Sequence, residues 1–146
     1  MAQREIDDIN KRKKYKDEKF GKRKTAIDEY TGKRIKRSNA EVDHIVSIEN
    51  IKEKYSDLTT EQQKKLANSS TNYALTNSHL NRSKQGNSNA EHILNSAKHG
   101  SMPDSNTVSN MCSKQVQSER AMDKQAKKMR MNNRIDKIIG LFGSNK

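Results

Sequence analysis

The sequence predicts an α+β fold, mostly helical overall, in which a small mixed core is flanked by helices. Three observations predict it. Two short runs have strand character: residues 41–47, rich in the β-branched Val42, Ile45 and Val46, and residues 72–76, with Tyr73 and Leu75 on alternate positions. The stretches around them are charged and carry helix start and stop signals. Only 29% of the 146 residues are hydrophobic and 4% aromatic, with no Trp, so one small core is all the chain can build.

Residues 1–27 read as a basic N-terminal helix or arm, dense in charge from Arg4 to Lys24, with Ile6, Ile9 and Phe20 thinly spaced. A plain exposed helix and a DNA-contacting arm fit that pattern equally. Residues 28–99 read as the core. Tyr30-Thr31-Gly32-Lys33 is a turn, with Gly32 free to take positive φ, and residues 33–37 follow as a short strand. After the strand at 41–47, a charged helix opens at Ser47 and ends near Asp57. Thr59 and Gln62 form a capping-box pair that starts a helix ending near Ala67. Residues 68–71 are a loop. The second strand leads into a helix from Asn77 or Ser78 to Gln85, which Gly86 ends. A further helix spans 88–99, with Ile93 and Leu94 expected inward. Residues 100–110, with Gly100 and the sole proline, Pro103, read as a linker. Residues 111–146 carry two helices, 116–131 and 133–142. In the second, Ile135, Ile138, Ile139 and Phe142 share one face. Packing onto its own domain is the first expectation for that face, and a homodimer or protein-partner contact the second.

Thirty Lys and Arg against eighteen Asp and Glu give a formal net charge of +12. That balance points to a polyanionic partner, nucleic acid rather than a membrane, because no stretch joins strong basicity to a good apolar face; the choice of DNA rests on the resemblance given below. Cys112 is the single cysteine, which excludes an intrachain disulfide and a four-cysteine zinc knuckle. No signal-peptide core or transmembrane run stands out, so a cytoplasmic, reducing setting is expected.

Hydrolysis of a phosphodiester needs a base with a pKa near neutrality, a cation to offset phosphate charge, and donors that hold the polyanion. The sequence supplies such groups in order. Asp43-His44 stands at the end of the first strand, Asn72 opens the second, and Asn81 lies on the following helix within His79-Leu80-Asn81-Arg82-Ser83-Lys84. Alternate strand residues face opposite ways, so Asp43 and His44 can share a site only where the strand breaks into loop, or from two sides of one phosphate.

Residues 30–84 resemble the HNH endonucleases, most closely the HNH nuclease domains of CRISPR RNA-guided DNA nucleases. Three segments carry the resemblance. Tyr30-Thr31-Gly32-Lys33-Arg34-Ile35 looks like the turn before the active strand. Val42-Asp43-His44-Ile45-Val46 looks like that strand. Asn72-Tyr73-Ala74-Leu75-Thr76 with Leu80-Asn81-Arg82-Ser83-Lys84 looks like the asparagine strand and asparagine-arginine helix, and the two asparagines are nine positions apart, as in that subgroup. The resemblance implies a ββα-metal core and one catalytic divalent cation. Mg²⁺ is the first choice, with Mn²⁺ or another transition metal as the alternative. It implies His44 as general base, Asp43 and Asn81 as metal ligands, and Asn72 orienting the loop or ring of His44. Arg82 and Lys84 would lie near the phosphate backbone, joined as nucleic-acid contacts by Lys33 and Arg34 of the turn. Relatives often carry an acidic residue where this chain has His79, which is either a third ligand that softens the site toward Mn²⁺, Zn²⁺ or Ni²⁺, or a polar helix residue. The cysteine pairs that bind zinc in some HNH proteins are absent, so no structural zinc is implied.

The expected activity is DNA endonuclease, one strand nicked per active site. A non-catalytic basic nucleic-acid-binding protein on the same scaffold, or a nuclease toxin domain with an inhibitory partner, is the alternative. Small free-standing HNH proteins occur in phages and mobile elements, which suggests the setting by analogy alone.

Overall fold

Pairing of the two predicted strands organises the chain. The computed structural model describes residues 5–143. In order, the elements are α1 (Ile9–Phe20), β1 (Thr25–Ile27), β2 (Arg34–Lys36), β3 (Ala40–His44), α2 (Ile48–Lys54), α3 (Thr60–Ala67), β4 (Tyr73–Asn77), α4 (Ser78–Lys84), α5 (Asn89–Lys98) and α6 (Ser105–Gly143), with 3₁₀ turns at Arg37–Asn39 and Ser70–Asn72. The fold is α+β and mostly helical, with two small antiparallel sheets, β1–β2 and β3–β4.

In the β3–β4 pair, Val42 stands opposite Leu75 and His44 opposite Tyr73. Alternation puts Ala40, Val42 and His44 on the face toward α1, and Glu41 and Asp43 on the face toward α4. Ala40, Val42, Tyr73 and Leu75 pack with Phe20 and Ala26 in one apolar cluster. Tyr30, Ile45, Ala74, Leu80 and Met111 form a second, and Ile51, Tyr55, Leu66, Met122 and Ala126 belong to a third, between α2, α3 and α6.

Local signals fix the helix starts. Thr59 Oγ1 accepts from Gln62 N at 3.1 Å and Gln62 Oε1 accepts from Thr59 N at 3.1 Å, the reciprocal pair expected of a capping box. Ser47 caps α2 and Asn77 caps α4 through their side-chain oxygens.

Five expectations change. Gln85, not Gly86, turns the chain after α4, at φ +53°. A side chain is strained in that region, so Gln85→Gly should raise stability by about 1 kcal/mol in urea melts. Leu94 is 64% exposed, because α5 turns Asn89, His92 and Ser96 inward, and Asn89 is taken up by polar partners. The expected linker at 100–110 becomes helical at Ser105, where Asp104 Oδ1 accepts from Thr107 N at 2.8 Å as a cap. The two expected C-terminal helices are one continuous helix of 39 residues, α6. Met111, Ser118, Met122 and Ala126 bury a seam along it, and two asparagines at 132–133 cost too little propensity to interrupt it. Ile135, Ile138 and Ile139 are exposed, so that face does not pack on its own domain; the side chain of Phe142 lies outside the described residues.

Candidate active site

The site forms where β3 ends. A cleft of about 330 Å³ is lined by Asp43, His44 and Asn81, together with Asp7 and Arg12 from the N-terminal segment and the turn at Gln85, Gly86 and Asn87. Asp43 and His44 leave opposite faces of β3 and still meet this cleft, because the strand stops at His44.

The His44 ring packs edge-on against Tyr73, with centroids 5.5 Å apart. Its Nε2 lies 3.2 Å from Asn68 Oδ1 and 3.7 Å from Asp7 Oδ1. The orientation of the Asn68 amide follows from its other partners. Nδ2 donates to the carbonyls of Ile6 (2.5 Å) and Lys64 (2.9 Å), while Oδ1 accepts from Tyr73 Oη (2.7 Å) and Asp8 N (3.2 Å). The atom facing Nε2 is therefore an acceptor, so Nε2 carries the proton and Nδ1 is the basic nitrogen. Among the described residues nothing hydrogen-bonds to Nδ1. Burial pulls the His44 pKa below the ordinary imidazole value, against the opposing pull of Asn68 and Asp7, which favours the neutral base.

Asp43 is buried. Its Oδ2 accepts from Tyr30 Oη at 2.6 Å and from the Lys84 ammonium. Its Oδ1 accepts no hydrogen bond among the described residues. Asn81 is held in a comparable way. Its Nδ2 donates to Glu41 Oε1 at 2.9 Å, and Glu41 is braced in turn by Arg82, leaving Asn81 Oδ1 without a described partner. Asp43 and Asn81, each with one oxygen that has no described partner, thus line the same cleft. That donor set fits a hard cation such as Mg²⁺, which keeps several waters and needs only one or two protein oxygens. Among the described residues, no three His, Cys, Asp or Glu side chains converge on a common point.

The other expected residues are spread more widely. Asn72 is fully buried behind the cleft. Its Oδ1 accepts from Val46 N (2.8 Å) and Ser118 Oγ (2.8 Å), and its Nδ2 donates to the carbonyls of Val46 (3.1 Å) and Ala67 (3.0 Å), so it clamps the loop that follows His44. His79 is exposed and does not line the cleft; two residues of helix rotate it about 200° from Asn81. Arg82 is exposed and paired with Glu41 at 2.8 Å. Lys84, expected near a phosphate, is instead fully buried, with Asp43, Asn89 and the His44 carbonyl as partners. Burial lowers its pKa and Asp43 opposes that. Lys33 and Arg34 are exposed on the β1–β2 hairpin.

Sequence reasoning missed Asn68, Glu41, Asp7 and Asp28. Asp28 is buried at the turn before β2 and accepts from Tyr30 N, Thr31 N, Thr76 Oγ1 and both nitrogens of Asn77, fastening the turn that carries Tyr30 to the end of β4. Burial would raise its pKa, but these donors outweigh it and hold the carboxyl below the usual range. Asn68 lay in a segment readable only as loop, and its role depends on contacts with residues far away in the chain.

Asn68→Ala should release the His44 ring. Long-range ¹⁵N–¹H spectra at pH 8 should then change from a single Nε2–H tautomer to a mixture. A wild-type spectrum already showing mixed tautomers would overturn this account of the ring. No family model, curated protein or solved structure matches this chain.

Proposed function

We propose that this chain is a metal-dependent HNH endonuclease that hydrolyses DNA phosphodiester bonds and nicks one strand per active site. The reading rests on the resemblance of residues 30–84 and on one observation: His44, whose Nδ1 has no hydrogen-bond partner among the described residues, lines the cleft to which Asp43 and Asn81 also contribute. On this reading β3, β4 and α4 are the ββα core.

His44 Nδ1 takes a proton from water as the water oxygen bonds to phosphorus and the phosphorus–oxygen ester bond on the far side breaks, the leaving oxygen taking a proton from solvent to become the free hydroxyl. Asp7, 3.7 Å from Nε2, stabilises the imidazolium that results. Asn68 holds the ring in the required tautomer. Asp43 and Asn81 would hold one divalent cation, which supplies charge neutralisation at the phosphate. With His79 outside the cleft, both donors are oxygens, which suits Mg²⁺ better than a softer metal. Arg12 lines the cleft from α1 and is available to the phosphate backbone, held meanwhile by both oxygens of Asp7. Among the described residues no helix is long and apolar enough to cross a membrane; the reading of DNA as partner is supported by the resemblance and by the net charge of +12.

The test is incubation of supercoiled plasmid with Mg²⁺, with Mn²⁺ or with chelator. Metal-dependent conversion to open circles is the expected result. One observation favours the alternative of a non-catalytic nucleic-acid binder: Lys84 already neutralises Asp43. Plasmid retarded on a gel but never nicked in either metal would select it.

A further inference from the structure

We propose that the turn after α1 and the β1–β2 hairpin form a second cationic groove, outside the His44 cleft, that grips the phosphodiester backbone of duplex DNA. The choice of DNA rests on the nuclease reading above; the groove itself does not. Lys22, Arg23, Lys24, Lys36 and Arg37 line an open groove of about 670 Å³, to which no acidic and no apolar side chain contributes. The backbone sets this arrangement. Thr25 pairs with Lys36 across the hairpin, and Arg37 N donates to Lys24 O at 3.3 Å, so the two basic runs lie side by side.

One wall is anchored. The Arg37 guanidinium donates to Asp17 Oδ1 at 2.9 Å and to Gly21 O at 3.1 Å, and lies 4.9 Å from the centroid of the buried Phe20 ring. Lys22, Arg23, Lys24 and Lys36 have no ion pair among the described residues. Four uncompensated cations around one groove create a local positive potential, and a polyanion that enters gains further by releasing its counterions. Thr25 and Ser38 add hydroxyl donors of the kind that contact phosphate oxygens. No apolar side chain lines the groove, so it offers none to insert into a lipid surface.

The groove is also well placed relative to the cleft. Helix α1 carries Arg12 at the cleft and ends beside Gly21 at the groove. Nine residues of helix span about 14 Å. One strand of B-DNA carries a charge about every 3.4 Å along the axis, so about four phosphates bridge the two sites.

The experiment uses full-length His44→Ala protein, which separates binding from cutting. Fluorescence anisotropy with a duplex of about 30 base pairs, across a salt series, compares it with the same protein carrying Lys22→Gln, Lys24→Gln and Lys36→Gln. A charge-matched control carries Lys65→Gln, Lys98→Gln and Lys124→Gln. A Lys22→Gln, Lys24→Gln double variant, which leaves the strand residue in place, covers the chance that the triple variant misfolds. The groove variant should bind at least tenfold more weakly, and its log–log salt slope should be shallower by about 2.7, at about 0.9 for each phosphate no longer neutralised. The control should change little. Equal losses in both triple variants would reduce the effect to net charge and overturn the groove. So would a groove variant that binds DNA normally but loses adhesion to phosphatidylserine vesicles. If the groove variant loses binding while wild type never nicks, the groove stands and the nuclease reading falls. If wild type nicks and the groove variant binds unchanged, the reverse holds.

Discussion

His44→Ala should reduce metal-dependent plasmid nicking by about 10²- to 10⁴-fold, the usual range for removing a general base, while DNA affinity stays within about twofold. The separation of the two effects follows from the geometry. His44 is largely buried, and its Nε2 is directed at Asn68 and Asp7, so the ring adds little to a surface that contacts DNA. On the proposed reading, binding falls instead to Arg12 and the cations of the groove beside the hairpin. A pH profile sharpens the prediction. Burial lowers the His44 pKa, so the neutral, proton-accepting form persists to lower pH than for a free imidazole. The acid limb of wild-type nicking should therefore fall below pH 6.5, the ordinary imidazole value. An acid limb above that value would mean that another group is titrating. Residual nicking of His44→Ala at more than a tenth of the wild-type rate would remove His44 from the role of base.

What was legible in the sequence was whatever is decided within a few residues. Thr59 and Gln62 cap α3 because both partners lie within one turn. The run ending in Asp43-His44 forms a strand that stops at His44, and Asn77 caps α4 beside the residues that resemble a family motif. The fold class could be read because pairing β3 with β4 buries Val42 and Leu75 on one face. Distant contacts were not legible. Asn68 orients His44 from 24 residues away, and it does so only because Ile6 and Lys64 supply the carbonyls that turn its amide. The inward face of α5 could not be found from apolar spacing, since it is built from Asn89, His92 and Ser96. The continuity of α6 depends on a seam buried by the rest of the molecule, which no window along the helix contains. Lys84 lies in a motif that reads as phosphate-binding, yet the fold turns it inward, because the carboxylate of Asp43 needs a counter-charge.

That last pair carries the largest expected effect on stability. Lys84→Met should destabilise the fold by about 3–5 kcal/mol in urea melts without added metal. The methionine fills much the same space, so the loss is electrostatic. Lys84 has no exposed side-chain surface, and its ammonium is shared by Asp43 Oδ2, Asn89 Oδ1 and the His44 carbonyl. Without it, Asp43 keeps only the Tyr30 hydroxyl on Oδ2 and remains a buried anion with no cation against it. The double variant Lys84→Met, Asp43→Asn should recover most of the loss, since it removes the stranded charge together with its partner. A single variant within 1 kcal/mol of wild type would show that solvent already neutralises Asp43. Metal extends the argument. If Asp43 is a metal ligand, Lys84 and the cation share one carboxylate, and the ammonium weakens the site by like-charge repulsion. Lys84→Met should then bind Mg²⁺ more tightly than wild type and regain more stability from it, because saturation at 100 times Kd contributes about 2.7 kcal/mol. A variant that is destabilised but gains nothing from Mg²⁺, Mn²⁺ or Zn²⁺ would make Lys84–Asp43 a structural ion pair and take Asp43 out of the metal site.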